Sequence, residues 1–95
     1  MVQMINLTRF FILIEDDPYI GPTHISLYMS LINCWIQYEY QNPFGIDRVA
    51  VMQVSKINAR ATYQKCLHDL HNSGFIHYVP SYSRKGKSMV YLLSL

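Results

Sequence analysis

Glycine and proline are scarce in this chain, four of each in 95 residues, and charge is scarce too, at 15% of the sequence against about 25% in an ordinary soluble domain. No glycine-rich phosphate loop, internal repeat or low-complexity segment is present. No pair of carboxylates sits in one compact motif. Only two cysteines occur, Cys34 and Cys66, far apart and in no CxxC pattern; each lies on an apolar stripe, which points to buried free thiols in a reducing compartment. A disulfide between them is the alternative, without a secretory signature to favour it. The N-terminus has no basic region ahead of its apolar run, so no signal peptide is expected. The run 10–14 is far short of the roughly 20 residues that cross a bilayer. These absences exclude the common enzyme signatures and a membrane span, and suggest a cytoplasmic chain with no cofactor.

What the chain has is apolar mass. The hydrophobic fraction is 51% and the aromatic fraction 14%, which argues against disorder and for one ordered domain over residues 1–95 with apolar surface to spare for a partner subunit. Net charge is only +2, but its distribution is lopsided. Residues 1–47 hold one cation (Arg9) and five acids (Glu15, Asp16, Asp17, Glu39, Asp47), whereas residues 48–95 hold seven cations (Arg48, Lys56, Arg60, Lys65, Arg84, Lys85, Lys87) and one acid (Asp69). The halves therefore carry −4 and +6. Such polarity suggests one surface made for a polyanion and another made for something else.

Residues 2–15 read as a helix with two apolar stripes, one through Met4, Ile5, Thr8, Phe11 and Ile12 and one through Leu7, Phe10 and Ile14. Both need cover, from a second subunit or from the C-terminal hairpin. A breaker cluster (Asp16, Asp17, Pro18, Gly21, Pro22) ends it and bounds an N-terminal segment 1–17, a candidate dimerisation element. Thr23 is the expected cap of a long second helix to about Gln41. Its stripes are Tyr28, Leu31, Ile32 and Trp35, and Ile25, Met29, Ile36 and Tyr40. Trp35 and the tyrosines read as core packing rather than a base-stacking platform. Asn42 and Pro43 stop this helix, 44–46 is a short strand, and Asp47 caps a brief helix over 48–54.

After a turn at 55–57 comes the segment that organises the rest. Asn58 is the expected N-cap and Gly74 the C′ residue of a helix over 58–73. Ala59, Tyr63, Cys66, Leu67 and Leu70 form its core stripe. The other side carries Ala61, Gln64, Lys65, His68 and Asn72, with Arg60 and Thr62 on its shoulders. Such a face serves either to solvate a surface helix or to meet bases and phosphates. The period then changes: 75–79 and 89–93 are β-rich, closing a helical core over 23–74 with a hairpin over 75–95. The intervening loop holds Arg84, Lys85 and Lys87, three cations within four residues.

Helix, helix, short strand, short helix, turn, helix and hairpin is the order of a winged helix-turn-helix, so the expected class is α+β, mostly α. The segments GPTHISLYMSLINCW, SKINARATYQKCLHDLHNSGFIHYVPSY and KGKSMVYLL resemble small winged-helix proteins of gut anaerobic bacteria, often carried on integrated mobile elements. More loosely, they are similar to the N-terminal domains of DnaD-like primosomal proteins and plasmid replication initiators. The resemblance covers most of the chain from residue 21. It implies a DNA-binding fold and dimerisation, with no established catalytic activity. Under it, Arg60, Thr62, Gln64 and Lys65 face the major groove of double-stranded DNA with His68 beside them, while Lys56, Arg84, Lys85 and Lys87 meet phosphates. The competing expectation is a protein-docking module whose activity resides in the apolar, acidic N-terminal half. His68 and His71 could hold a metal only together with Cys66, which belongs to the opposite, buried stripe, so no metal site is expected. His24, His68, His71 and His77 read instead as surface or DNA-facing residues.

Overall fold

The computed structural model describes residues 7–81 and 86–93. In chain order these form α1 (Leu7–Ile14), α2 (Pro22–Gln37), β1 (Phe44–Ile46), α3 (Arg48–Ser55), α4 (Arg60–Asn72), β2 (Ile76–Val79) and β3 (Ser88–Leu92). The chain is thus α+β and mostly helical.

Of the two stripes expected on α1, the fold buries the one through Phe10 and Ile14. Phe10 is fully buried and stacks on Tyr28 at 4.0 Å between ring centroids, with Phe75 edge-on at 4.9 Å. Of the other stripe, Thr8, Phe11 and Ile12 stay outside, Phe11 46% and Ile12 58% exposed; Met4 and Ile5 lie outside the described residues. The breaker cluster acts as expected, the Asp17 N–H closing on the Ile14 carbonyl at 3.0 Å.

The second helix starts one residue before its expected cap. Gly21 is the N-cap and Pro22 the first helical residue, because proline has no N–H to satisfy and its φ is already set for a helix. Thr23 lies inside the helix. The helix also ends sooner than expected, at Gln37: Glu39 and Tyr40 are left-handed (φ 56° and 64°), and the Tyr40 N–H turns back to the Trp35 carbonyl at 2.9 Å. Leu27, Tyr28, Leu31 and Trp35 are buried, so α2 is the central strut. Met29 and Ile36, from its second stripe, are exposed.

Asp47 caps α3 as its sequence position implied, its Oδ1 accepting the Val49 N–H at 3.3 Å. Lys56 takes the left-handed conformation (φ 62°) that turns the chain into α4. Asn58 does not cap that helix. Ala59 is its N-cap, with an extended backbone and no side-chain acceptor, and its carbonyl takes the first helical bond, from the Tyr63 N–H. At the far end Gly74 has φ +84°. The Gly74 N–H bonds the His71 carbonyl and the Phe75 N–H bonds the Leu70 carbonyl, both at 3.1 Å. This 5→2 and 6→1 pair closes a helix where glycine supplies the left-handed residue. The core stripe of α4 is Tyr63, Cys66, Leu67 and Leu70, all buried, while Ala59 is exposed.

The strands form one antiparallel sheet in the order β1-β3-β2, with Phe44 opposite Val90 and Ile76 opposite Leu92. Alternation puts Phe44, Ile46, Ile76, Val90 and Leu92 into the core and turns His77 and Tyr91 outward. Side chains take up backbone groups that the strands leave open, past the end of β1 and on the β2 edge. The Asn42 amide accepts the Leu92 N–H at 2.9 Å and donates to its carbonyl at 2.8 Å. On β2 the Tyr78 N–H donates to His71 Nδ1 at 3.0 Å. An occupied N–H on the β2 edge makes it a poorer template for a stray strand. Among the described residues no helix is long and apolar enough to cross a membrane.

Candidate nucleic-acid interface

The polar face of α4 divides between two concavities. Its hairpin-side shoulder, Arg60, Gln64 and His68, lines a cleft of about 370 Å³ shared with Arg48 at the start of α3 and with Tyr78, Ser81 and Ser88 of the hairpin. Residues four apart on a helix stack along one side, which is why these three act together. Lys56 and Thr62 line a second groove of about 410 Å³, facing Pro22, Thr23 and Ser26 at the start of α2. Lys65 lies between the two on the crest, exposed, with its Nζ 2.8 Å from Asp69 Oδ2. Lys87 is exposed and its stem runs beside Gly45, where a Cβ would come 3.3 Å from Lys87 Cδ. Arg84 and Lys85 lie outside the described residues.

Charge in the cleft has one sign. Arg48, Arg60 and His68 line it and no carboxylate does. Asp47, next to Arg48, spends an oxygen on its cap bond. Among the described residues the Arg48 guanidinium reaches only Met52 Sδ, at 3.6 Å. Ser88 Oγ accepts the Ser81 N–H at 3.2 Å and, weakly, the Tyr78 hydroxyl at 3.5 Å. The His68 ring stands edge-on to Tyr78 at 5.8 Å.

The one acid of the second half occupies the opposite shoulder of α4. Asp69 Oδ2 meets His24 Nε2 at 2.7 Å as well as Lys65. His24 Nδ1 accepts the Gly21 N–H at 3.0 Å. A backbone N–H can only donate, so Nε2 carries the proton of the neutral ring and gives it to Asp69. The Lys65 ammonium, and then the His24 ring, hold the Asp69 carboxyl below its usual range; the same bond raises Lys65.

The histidines therefore differ from their expected surface role in two cases. His68 and His77 are exposed, but His24 is buried and ties α2 to α4, and His71 is half-buried on the sheet edge. Because His71 Nδ1 accepts an N–H, its other nitrogen carries the proton and is not offered to a metal. Among the described residues, no three metal-ligating side chains come together. Cys66 is buried and Cys34 half-buried; both are free thiols whose ionisation burial pushes up.

Sequence reasoning passed over Arg48 as a site residue. A cation at the first position of a helix opposes the helix dipole, and that misplacement was the available signal. The contribution of Tyr78, Ser81 and Ser88 had none, since it depends on how the hairpin folds against α4. Compared with protein families, with characterised proteins and with solved structures, the chain matches none of them.

Proposed function

We propose that this protein is a double-stranded DNA-binding winged helix-turn-helix, acting as a transcriptional regulator or an accessory factor of a mobile element and not as an enzyme. In this reading α3, the turn at Lys56 and α4 are the helix-turn-helix, and the β2–β3 hairpin is the wing. What carries it is the cleft where α4 meets the hairpin: two guanidinium groups from two helices, with His68 beside them, on one surface with no acid in its lining. A helix of 13 residues is about 20 Å long and about 10 Å across, which a major groove about 12 Å wide accommodates. Thr62, Gln64 and Lys65 would approach base edges; Lys56, Arg84, Lys85 and Lys87 would meet phosphates, supplying affinity without sequence information. A cytoplasmic homodimer through α1 belongs to this proposal, supported by the exposed Phe11, Ile12 and Leu13.

Fluorescence anisotropy on a labelled duplex of random sequence across a salt series tests it. Lys56, Arg84, Lys85 and Lys87, with Arg60 and Lys65 where they also meet phosphates, make about six contacts and give a slope of log K against log salt near −5. Size-exclusion chromatography of the same sample reads the dimer. Binding that is absent or insensitive to salt refutes the DNA reading. The exposed α1 face then favours the second one, a docking module within a replication or DNA-transfer complex.

A further inference from the structure

Two guanidinium groups from different elements line the same cleft, and neither is neutralised there. Arg60 has no hydrogen-bond or ion-pair partner among the described residues, and Arg48 has only a thioether. Ser88 adds a hydroxyl: its oxygen accepts the Ser81 N–H, and its proton can turn to an acceptor in the cleft. The Gln64 amide lines the same wall. A concave site rich in donors and free of carboxylates is matched by an anion with several oxygens, and the arginine fork fits phosphate best. The volume of about 370 Å³ is at the small end of ligand sites, with space for a phosphate and its sugar.

We propose that the cleft between α4 and the hairpin seats a single phosphate ester, gripped from one side by Arg48 and from the other by Arg60, with Ser88 and Gln64 completing the donor set. The inference rests on the DNA reading for the source of that phosphate, a backbone linkage threading between α4 and the wing. A free mononucleotide carries the same chemistry. The assignment changes the parts Arg60 and Gln64 play: both fix the register of the protein on the duplex rather than reading a base, which leaves base edges to Thr62 and Lys65.

The test uses the full chain and the variants Arg48→Gln, Arg60→Gln and the double substitution, with Gln37→Ala at the exposed end of α2 as a control away from every proposed contact and circular dichroism to show that each is folded. Duplex affinity is read by anisotropy, and adenosine 5′-monophosphate is titrated separately while the Tyr78, Ser81 and Ser88 amides are followed by NMR. Each single variant should lose about tenfold in duplex affinity, the value of a charge-assisted hydrogen bond of about 1.5 kcal/mol. The double variant should lose clearly less than the hundredfold product, because one phosphate serves both side chains. A full hundredfold loss would give each arginine its own phosphate and overturn the single seat. Duplex binding by the wild type that neither arginine affects, with no nucleotide shifts in the cleft, also overturns it while leaving the DNA reading intact. Nucleotide shifts that vanish in the double variant, without duplex binding by the wild type, uphold the phosphate seat and sink the DNA reading instead. Loss of both kinds of binding in the wild type sinks both.

Discussion

Replacing His24 by alanine removes two bonds at once. The imidazole closes the start of α2 by accepting the Gly21 N–H, and it bridges α2 to α4 by donating to Asp69. A helix-cap bond contributes about 1 kcal/mol. A hydrogen bond to a carboxylate contributes about 1.5–3 kcal/mol, and the low end applies because the Asp69 side chain is 21% exposed and keeps Lys65. His24→Ala should therefore cost about 2.5 kcal/mol, a drop of about 10–20 °C in Tm for a domain of this size. His24→Gln separates the terms. A glutamine at the third helical position can still reach back to the cap N–H but not to Asp69, so it should cost about 1.5 kcal/mol, as should Asp69→Asn. Urea unfolding followed by circular dichroism measures all three. The acid side gives a second readout. Because the folded Asp69 carboxyl titrates below its usual range, its contribution is present above about pH 4 and lost as pH falls through the folded value. Asp69→Asn should flatten that limb. Equal losses for His24→Ala, His24→Gln and Asp69→Asn would refute the double role of the ring.

Two further outcomes follow from the core. The Tyr28 hydroxyl is buried without a partner among the described residues, and its ionisation is pushed up to about 12 by burial. The unfolded chain ionises near pH 10, so stability is full below pH 10 and falls between about 10 and 12. Tyr28→Phe should blunt that loss, and at neutral pH should match or exceed the wild type in a thermal melt, since it removes an unsatisfied polar group. Phe10→Ala should cost about 3–5 kcal/mol by chemical denaturation, for Phe10 is fully buried against Tyr28 and Phe75. Ile12→Ala, on the exposed side of α1, should stay within about 0.5 kcal/mol. If α1 is a dimer contact, that same substitution shifts the elution volume toward monomer.

Helical periodicity made the α3–turn–α4 unit legible, because the chain reports its own spacing: Tyr63, Cys66, Leu67 and Leu70 recur on one side whatever they pack against. Gly74 was legible because a left-handed φ is a property of one residue. Errors clustered at helix ends. Asn58 and Thr23 have the right chemistry for caps, but the backbone becomes helical at Arg60 and Pro22, and a cap is defined by where the turn falls rather than by side-chain type. On the polar face of α4, the sequence grouped Arg60, Thr62, Gln64 and Lys65 together. Folding against two different neighbours separates them, toward the hairpin cleft, toward the start of α2, and onto the Asp69 carboxylate.

Local order, the order of elements and the segregation of charge into the second half were thus set by the sequence alone, since each depends on residues within a few turns of one another. Only the tertiary structure decided which of the two α1 stripes is buried, that His24 joins Gly21 to Asp69, and that Arg48 shares a cleft with Arg60. Each of these depends on side chains 12 to 65 positions apart being brought together, Arg48 and Arg60 on one cleft, His24 and Asp69 in a hydrogen bond, Phe10 and Phe75 edge to face. Chain spacing carries no record of which distant groups a fold will bring into reach.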